Sequence, residues 1–92
     1  MTGNVLLFIL QADQVLIMTP DKQLRETIAK KLRALRLGKN YTQEYMAAKL
    51  GISQNAYSKL ELGYTGVTVA NLIKIASVLE FNVQDFLNDI GR

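Results

Sequence analysis

The stretch from Thr42 to Gly63 constrains this chain more than any other part of it. Thr42 and Ser53 are helix-capping hydroxyls, and each is followed some eight to ten positions later by a glycine, Gly51 and Gly63. The stretch therefore reads as two short helices joined by a tight turn. Thr42 is the expected N-cap of the first, with Glu44 well placed against the helix dipole. Met46, Ala47 and Leu50 are its inward positions, and Ala56, Tyr57 and Leu60 are those of the second helix. A sharp helix crossing needs a small residue where the backbones approach, which Ala47 supplies. It also needs a turn residue that accepts positive φ, which Gly51 supplies. Ile52, Tyr57 and Leu60 then pin the second helix to the first, leaving Gln54, Asn55, Ser58 and Lys59 facing outward.

That outward set suits the reading of base edges. Glutamine or asparagine can bond adenine N6 and N7 together, and lysine can donate to guanine O6 and N7. The residues cluster toward the N-terminal end of the helix, the end that enters a major groove. Taken singly, Gln54 and Asn55 are ordinary polar residues of a solvated first turn. As a set on a basic helix pair they favour readout.

Charge supports a polyanion partner. Residues 22–59 hold Lys22, Arg25, Lys30, Lys31, Arg33, Arg36, Lys39, Lys49 and Lys59 against Glu26 and Glu44, a local charge of +7 within a net +3. A basic block beside a mildly acidic remainder is the footprint of a nucleic-acid binder, although solvated helix faces give similar counts. The chain has no cysteine and no histidine, so the commonest general base, the commonest metal ligand and any thiolate are missing. Its eight carboxylates are scattered rather than paired. Neither an enzyme, a cofactor nor a metal site is expected.

Around this core the pattern is helical from Thr19 onward. Thr19 and Pro20 are the expected cap and first position of a helix whose stripe is Leu24, Ile28, Leu32 and Leu35. Gly38 is its expected left-handed cap, followed by a loop of Lys39, Asn40 and Tyr41. Thr68 caps a later helix burying Leu72, Ile75, Ala76 and Leu79. Asn82 and Asp85 form a capping box for a last one that packs Phe86 and Leu87 inward. The expected architecture is mostly α, with five short helices.

The N-terminal arm, residues 1–19, stands apart from the helical domain of residues 20–92. Two apolar runs, Asn4 to Leu10 and Val15 to Met18, flank Gln11, Asp13 and Gln14. A signal peptide lacks its basic start and cleavage site here, and a membrane span needs about 20 apolar residues. A β-hairpin fits, with a short buried helix or a translation start at Met18 as alternatives. No membrane partner is expected, and the expected location is cytoplasmic.

Residues 24–87 resemble the phage repressor/Cro (Xre-type) helix-turn-helix family. The resemblance rests on the run from Thr42-Gln43-Glu44 through Ala47, Gly51 and Glu61-Leu62-Gly63, then on Leu72 to Leu79 and Val83 to Leu87. It implies a lambda-repressor-like fold whose second and third helices bind duplex DNA. By the same resemblance, Gln54, Asn55 and Lys59 would contact bases, and Gln43, Asn40, Ser53, Ser58, Tyr64 and Thr65 would contact phosphates. Backbone amides around Tyr64 and Thr65 would share that work, Gln43 would also brace the recognition helix, and Arg36 and Glu61 would form a structural salt bridge. Two positions depart from the pattern: Val67 stands where a proline is common, and Glu80 where a glycine is usual. The arm lies outside the shared domain.

The function so implied is a homodimeric transcriptional regulator, a repressor on a pseudo-palindromic operator, with the apolar arm contributing to the dimer. The alternative is an antitoxin whose arm binds a protein toxin and which represses its own operon.

Overall fold

The computed structural model describes residues 16–17 and 21–90; Thr19, Pro20 and the first apolar run lie outside them. Helix α1 (Lys22–Gly38) is capped by Asp21, whose carboxylate accepts the Leu24 amide at 3.0 Å. This corrects the start expected at Thr19 and Pro20. Aspartate caps as well as threonine does, and its position three residues before a free amide decides between them.

The end of α1 is a second correction. Gly38 stays helical, and the left-handed residue is Asn40, at φ 61°. Amides of Lys39 and Tyr41 return to the Arg36 carbonyl and that of Asn40 to Leu37, so the helix carbonyls are satisfied two residues beyond the glycine. Asparagine tolerates the left-handed region better than other side chains with a Cβ.

Helices α2 (Gln43–Leu50) and α3 (Gln54–Glu61) follow, capped by Thr42 and Ser53, which accept the amides of Tyr45 and Ala56. Between them Gly51 takes φ 71°, and the Ile52 amide closes onto the Ala47 carbonyl at 3.0 Å. A residue with a Cβ would be strained at that φ. Strand β2 (Val67–Thr68) leads directly into α4 (Val69–Leu79), whose cap Thr68 accepts the Asn71 amide. Helix α5 (Val83–Ile90) is capped by Asn82, which accepts the Asp85 amide at 2.9 Å. From the arm, β1 (Leu16–Ile17) pairs antiparallel with β2, Leu16 opposite Thr68 and Ile17 opposite Val67.

The core lies where α1 to α4 converge. Leu32, Met46, Tyr57, Ile75 and Leu79 are its most enclosed large side chains, with Ile28, Leu50, Leu60 and Leu72 around them. Phe86 and Leu87 bring α5 onto this core. Phe86 stacks on Phe81 at 4.9 Å, and Lys31 of α1 lies over its ring while pairing with Asp89 at 2.9 Å. Ala56 is not part of the core. It is exposed, because Tyr57 and Leu60 alone fill the inward side of a helix only two turns long.

Candidate nucleic-acid interface

The two short helices present one side of α3 to solvent. Gln54 is its first residue, Asn55 and Lys59 lie one turn apart, and all three are exposed. Ala56 joins them. Together with Ser53, Asn55 and Lys59 it lines an open cleft whose far wall is formed by Thr65, Gly66 and Asn71. The inward side of the same helix carries Tyr57, Leu60 and Glu61, all buried. Eight residues thus separate into a solvated polar edge and a fixed inner edge, so the polar edge cannot rotate without opening the core.

Glu61 provides the fixing. Its carboxylate accepts from Arg36 Nε at 2.6 Å and Arg36 Nη2 at 3.0 Å, a two-pronged pair in which both side chains are almost wholly buried. Arg36 Nη1 donates onward to the Tyr41 carbonyl at 2.7 Å, and Gln43 Nε2 donates to Glu61 Oε1 at 3.1 Å. One carboxylate therefore ties the end of α3 to α1 and to the first residue of α2. Burial pushes the Glu61 carboxyl upward, but the Arg36 guanidinium and the neighbouring Tyr57 and Gln43 groups outweigh it and hold the group below the ordinary carboxylate value. Arg36 is raised in turn, chiefly by its hydrogen bond to Glu61. The Tyr57 hydroxyl is buried beside this pair without a hydrogen-bond partner of good geometry, and burial raises its ionisation well above the usual phenol value.

The remaining residues singled out from the sequence surround α3. Ser53 is exposed, with its oxygen already engaged as a cap. Ser58 is half-buried, and Asn40 is exposed in the α1–α2 loop. Gln43 is half-buried against Glu61, so its amide already has one partner within the protein. Tyr64 is 70% exposed and Thr65 is exposed beside it. The Tyr64 amide is taken by the Lys59 carbonyl at 3.0 Å, so this residue offers its side chain rather than its backbone.

The loop bearing them is fastened at Gly63. This residue is buried with φ 76°, and a Cβ there would stand 3.1 Å from Glu26 Cγ and 3.2 Å from Glu26 Cα. The Gly63 carbonyl accepts from Arg25 Nε at 3.3 Å. From the sequence Arg25 counts only as one charge of the basic block and Ala56 as an inward position; the structure instead places Arg25 on the Gly63 carbonyl and Ala56 in the cleft. A Tyr41–Tyr45 ring contact at 4.4 Å joins the residue before the Thr42 cap to the first turn of α2, and Lys49 lies over the Tyr45 ring. Among the described residues no cluster of acidic, histidine or cysteine side chains could hold a metal ion, and no helix is long and apolar enough to cross a membrane.

The family described as Helix-turn-helix matches residues 32–86. The cryptic phage CTXphi transcriptional repressor RstR of Vibrio cholerae serotype O1 is 36% identical over 63 residues, which cover 68% of this chain and 53% of that repressor. The chain thus spans about half the length of this curated relative. Among solved structures, the clp gene regulator ClgR from C. glutamicum superposes with a TM-score of 0.67 at 29% identity, covering 74% of this chain and 88% of its own. SinR, the master regulator for biofilm formation solved in complex with DNA, superposes at 0.59 with 26% identity, covering 65% of this chain and 97% of its own.

Proposed function

The chain belongs to the Xre-type helix-turn-helix family of DNA-binding transcriptional regulators, and on that premise we propose that it is a sequence-specific repressor acting as a homodimer on a pseudo-palindromic operator. The observation that carries this reading is the division of α3 into a buried, ion-paired edge and an exposed edge of Gln54, Asn55 and Lys59. Side chains on a helix so held can discriminate bases, because their approach to the groove is set before DNA arrives.

In this reading Gln54, Asn55 and Lys59 contact base edges. Gln43, Asn40, Ser53 and Ser58 face the backbone on one side of the helix, and Tyr64 and Thr65 face it on the other. Each well-placed base contact is worth roughly 1–3 kcal/mol of discrimination, so one short helix distinguishes few sequences. A second copy doubles the reader and sets half-sites about 34–36 Å apart. The apolar arm supplies part of the contact between copies; deleting residues 1–18 without changing the dimer association constant refutes that part.

The whole proposal is tested by selecting bound duplexes from a random pool at two salt concentrations. Enrichment of an inverted repeat is the expected outcome. Salt-sensitive binding with no enriched motif would refute specific readout and point to a protein partner, such as a toxin, instead.

A further inference from the structure

We infer that the arm strand β1 positions the DNA-facing loop after the recognition helix, by pairing with the downstream end of that loop. The inference rests on the proposed reading that Tyr64 and Thr65 face the DNA backbone.

The span Tyr64–Gly66 is short, with Tyr64 and Thr65 exposed, and what matters is how its ends are held. The upstream end is fixed within the helical body: Gly63 packs on Glu26 and accepts from Arg25. The downstream end is Val67–Thr68, which β1 pairs with. Val67 is buried against the core, and Thr68 caps α4, so the ladder fixes the point where loop becomes helix. A three-residue loop held at both ends has little freedom left to lose when it meets a phosphate.

A second observation comes from the sequence. Val67, the residue opposite Ile17, is valine and not proline. Proline has no amide to give to a ladder, and its fixed φ would stiffen the loop without help. Valine lacks that stiffness but favours extended backbone and can donate to a neighbouring strand. The arm thus adds by pairing a restraint that valine does not supply by itself.

The test uses two variants of the full chain, Leu16→Pro and Ile17→Pro. In an antiparallel pair, opposed residues alternate between hydrogen-bonded and non-hydrogen-bonded, so only one of these prolines removes a ladder amide. Amide exchange on the unaltered protein identifies which of Leu16 and Ile17 is protected. Replacing the protected residue should weaken binding to the selected operator by about tenfold, the loss expected when roughly one more residue must be ordered on binding. The other proline should leave affinity within about twofold, which also controls for the substitution's effect on folding. Neither variant removes charge, so the slope of affinity against salt should not change. Equal affinities for both variants, equal losses in both, or no exchange protection at either residue each overturn the inference. If the unaltered protein binds no duplex at all, the proposed function fails first and the arm's role falls with it.

Discussion

Glu61→Gln tests the idea that one buried carboxylate holds the recognition helix in place. The substitution keeps the side-chain shape, so it opens no cavity, but it leaves the Arg36 guanidinium buried without its counter-charge. The side chains of Arg36 and Glu61 are only 9% and 2% exposed, so water cannot make up the loss. Removing one partner of such a pair typically destabilises by about 3–5 kcal/mol, and the retained amide oxygen argues for the lower end. A domain of this length has roughly 5–14 kcal/mol of stability in total, so a loss of about 3 is a large share. With a urea dependence of about 1.5 kcal/mol per molar, the unfolding midpoint should fall by about 2 M.

The companion variant Arg36→Met/Glu61→Leu removes both charges together. It should lie within about 1 kcal/mol of the unaltered protein, because a buried pair contributes little net stability over apolar replacements. A loss below about 1 kcal/mol in Glu61→Gln, or a double variant as damaged as the single one, would refute this account. The same carboxylate makes a pH prediction. Its ionisation is depressed in the folded protein, so its contribution to stability is complete above the ordinary carboxylate value and is lost as pH falls through the depressed one. Glu61→Gln should lack that portion of the acid-induced loss in urea midpoint.

Four further outcomes are expected. Gln54→Ala relaxes sequence preference, by roughly 1–3 kcal/mol at one or two base positions, while leaving nonspecific affinity nearly intact; competition with mutated operators reads this. Gln43→Ala weakens binding more evenly across sequences, and because it also strips a donor from Glu61 it lowers the urea midpoint as well; equal effects of both variants on all DNA would sink the assignment. Gly63→Ala forces a Cβ into the left-handed region and against Glu26, which should cost about 1–3 kcal/mol and lower the melting temperature by roughly 4–8 °C per kcal/mol. Glu80→Gly relieves the left-handed strain at φ 59° at the end of α4, and should raise the melting temperature even though it removes the exposed Lys39–Glu80 pair.

What was legible in the sequence was mostly local. Thr42, Ser53, Thr68 and Asn82 each cap through a side-chain oxygen three residues before the amide they accept, a relation contained in the sequence itself. Gly51 was legible for the same reason. Where two local candidates competed, the choice depended on how the backbone left the helix. Asp21 rather than Thr19, and Asn40 rather than Gly38, could not be chosen by residue preference alone. Ala56 was misread because a small apolar residue carries almost no directional signal and fits a face or a cleft equally well. The polar edge of α3 was visible as a pattern, but the ties from Glu61 to Gln43, from Arg36 to the Tyr41 carbonyl and from Arg25 to Gly63 join residues brought together only by packing.

Two positions, Val67 and Glu80, bear on how this domain keeps its shape. Proline and glycine set backbone geometry through their own covalent structure, independent of neighbours. Here both positions carry residues without that property, and yet the geometry holds. Val67 is extended opposite Ile17, and Glu80 sits left-handed at φ 59° with its carboxylate on Lys39 of the α1–α2 loop. In each case the position is held by a contact distant in sequence. Such contacts can be broken separately from the core: the Lys39–Glu80 pair is exposed and weakens as salt screens it, and the β1–β2 ladder is only two residues long. The flanks of α3 and α4 therefore open at lower free energy than the Leu32–Met46–Tyr57 core, and both lie beside elements that would meet DNA.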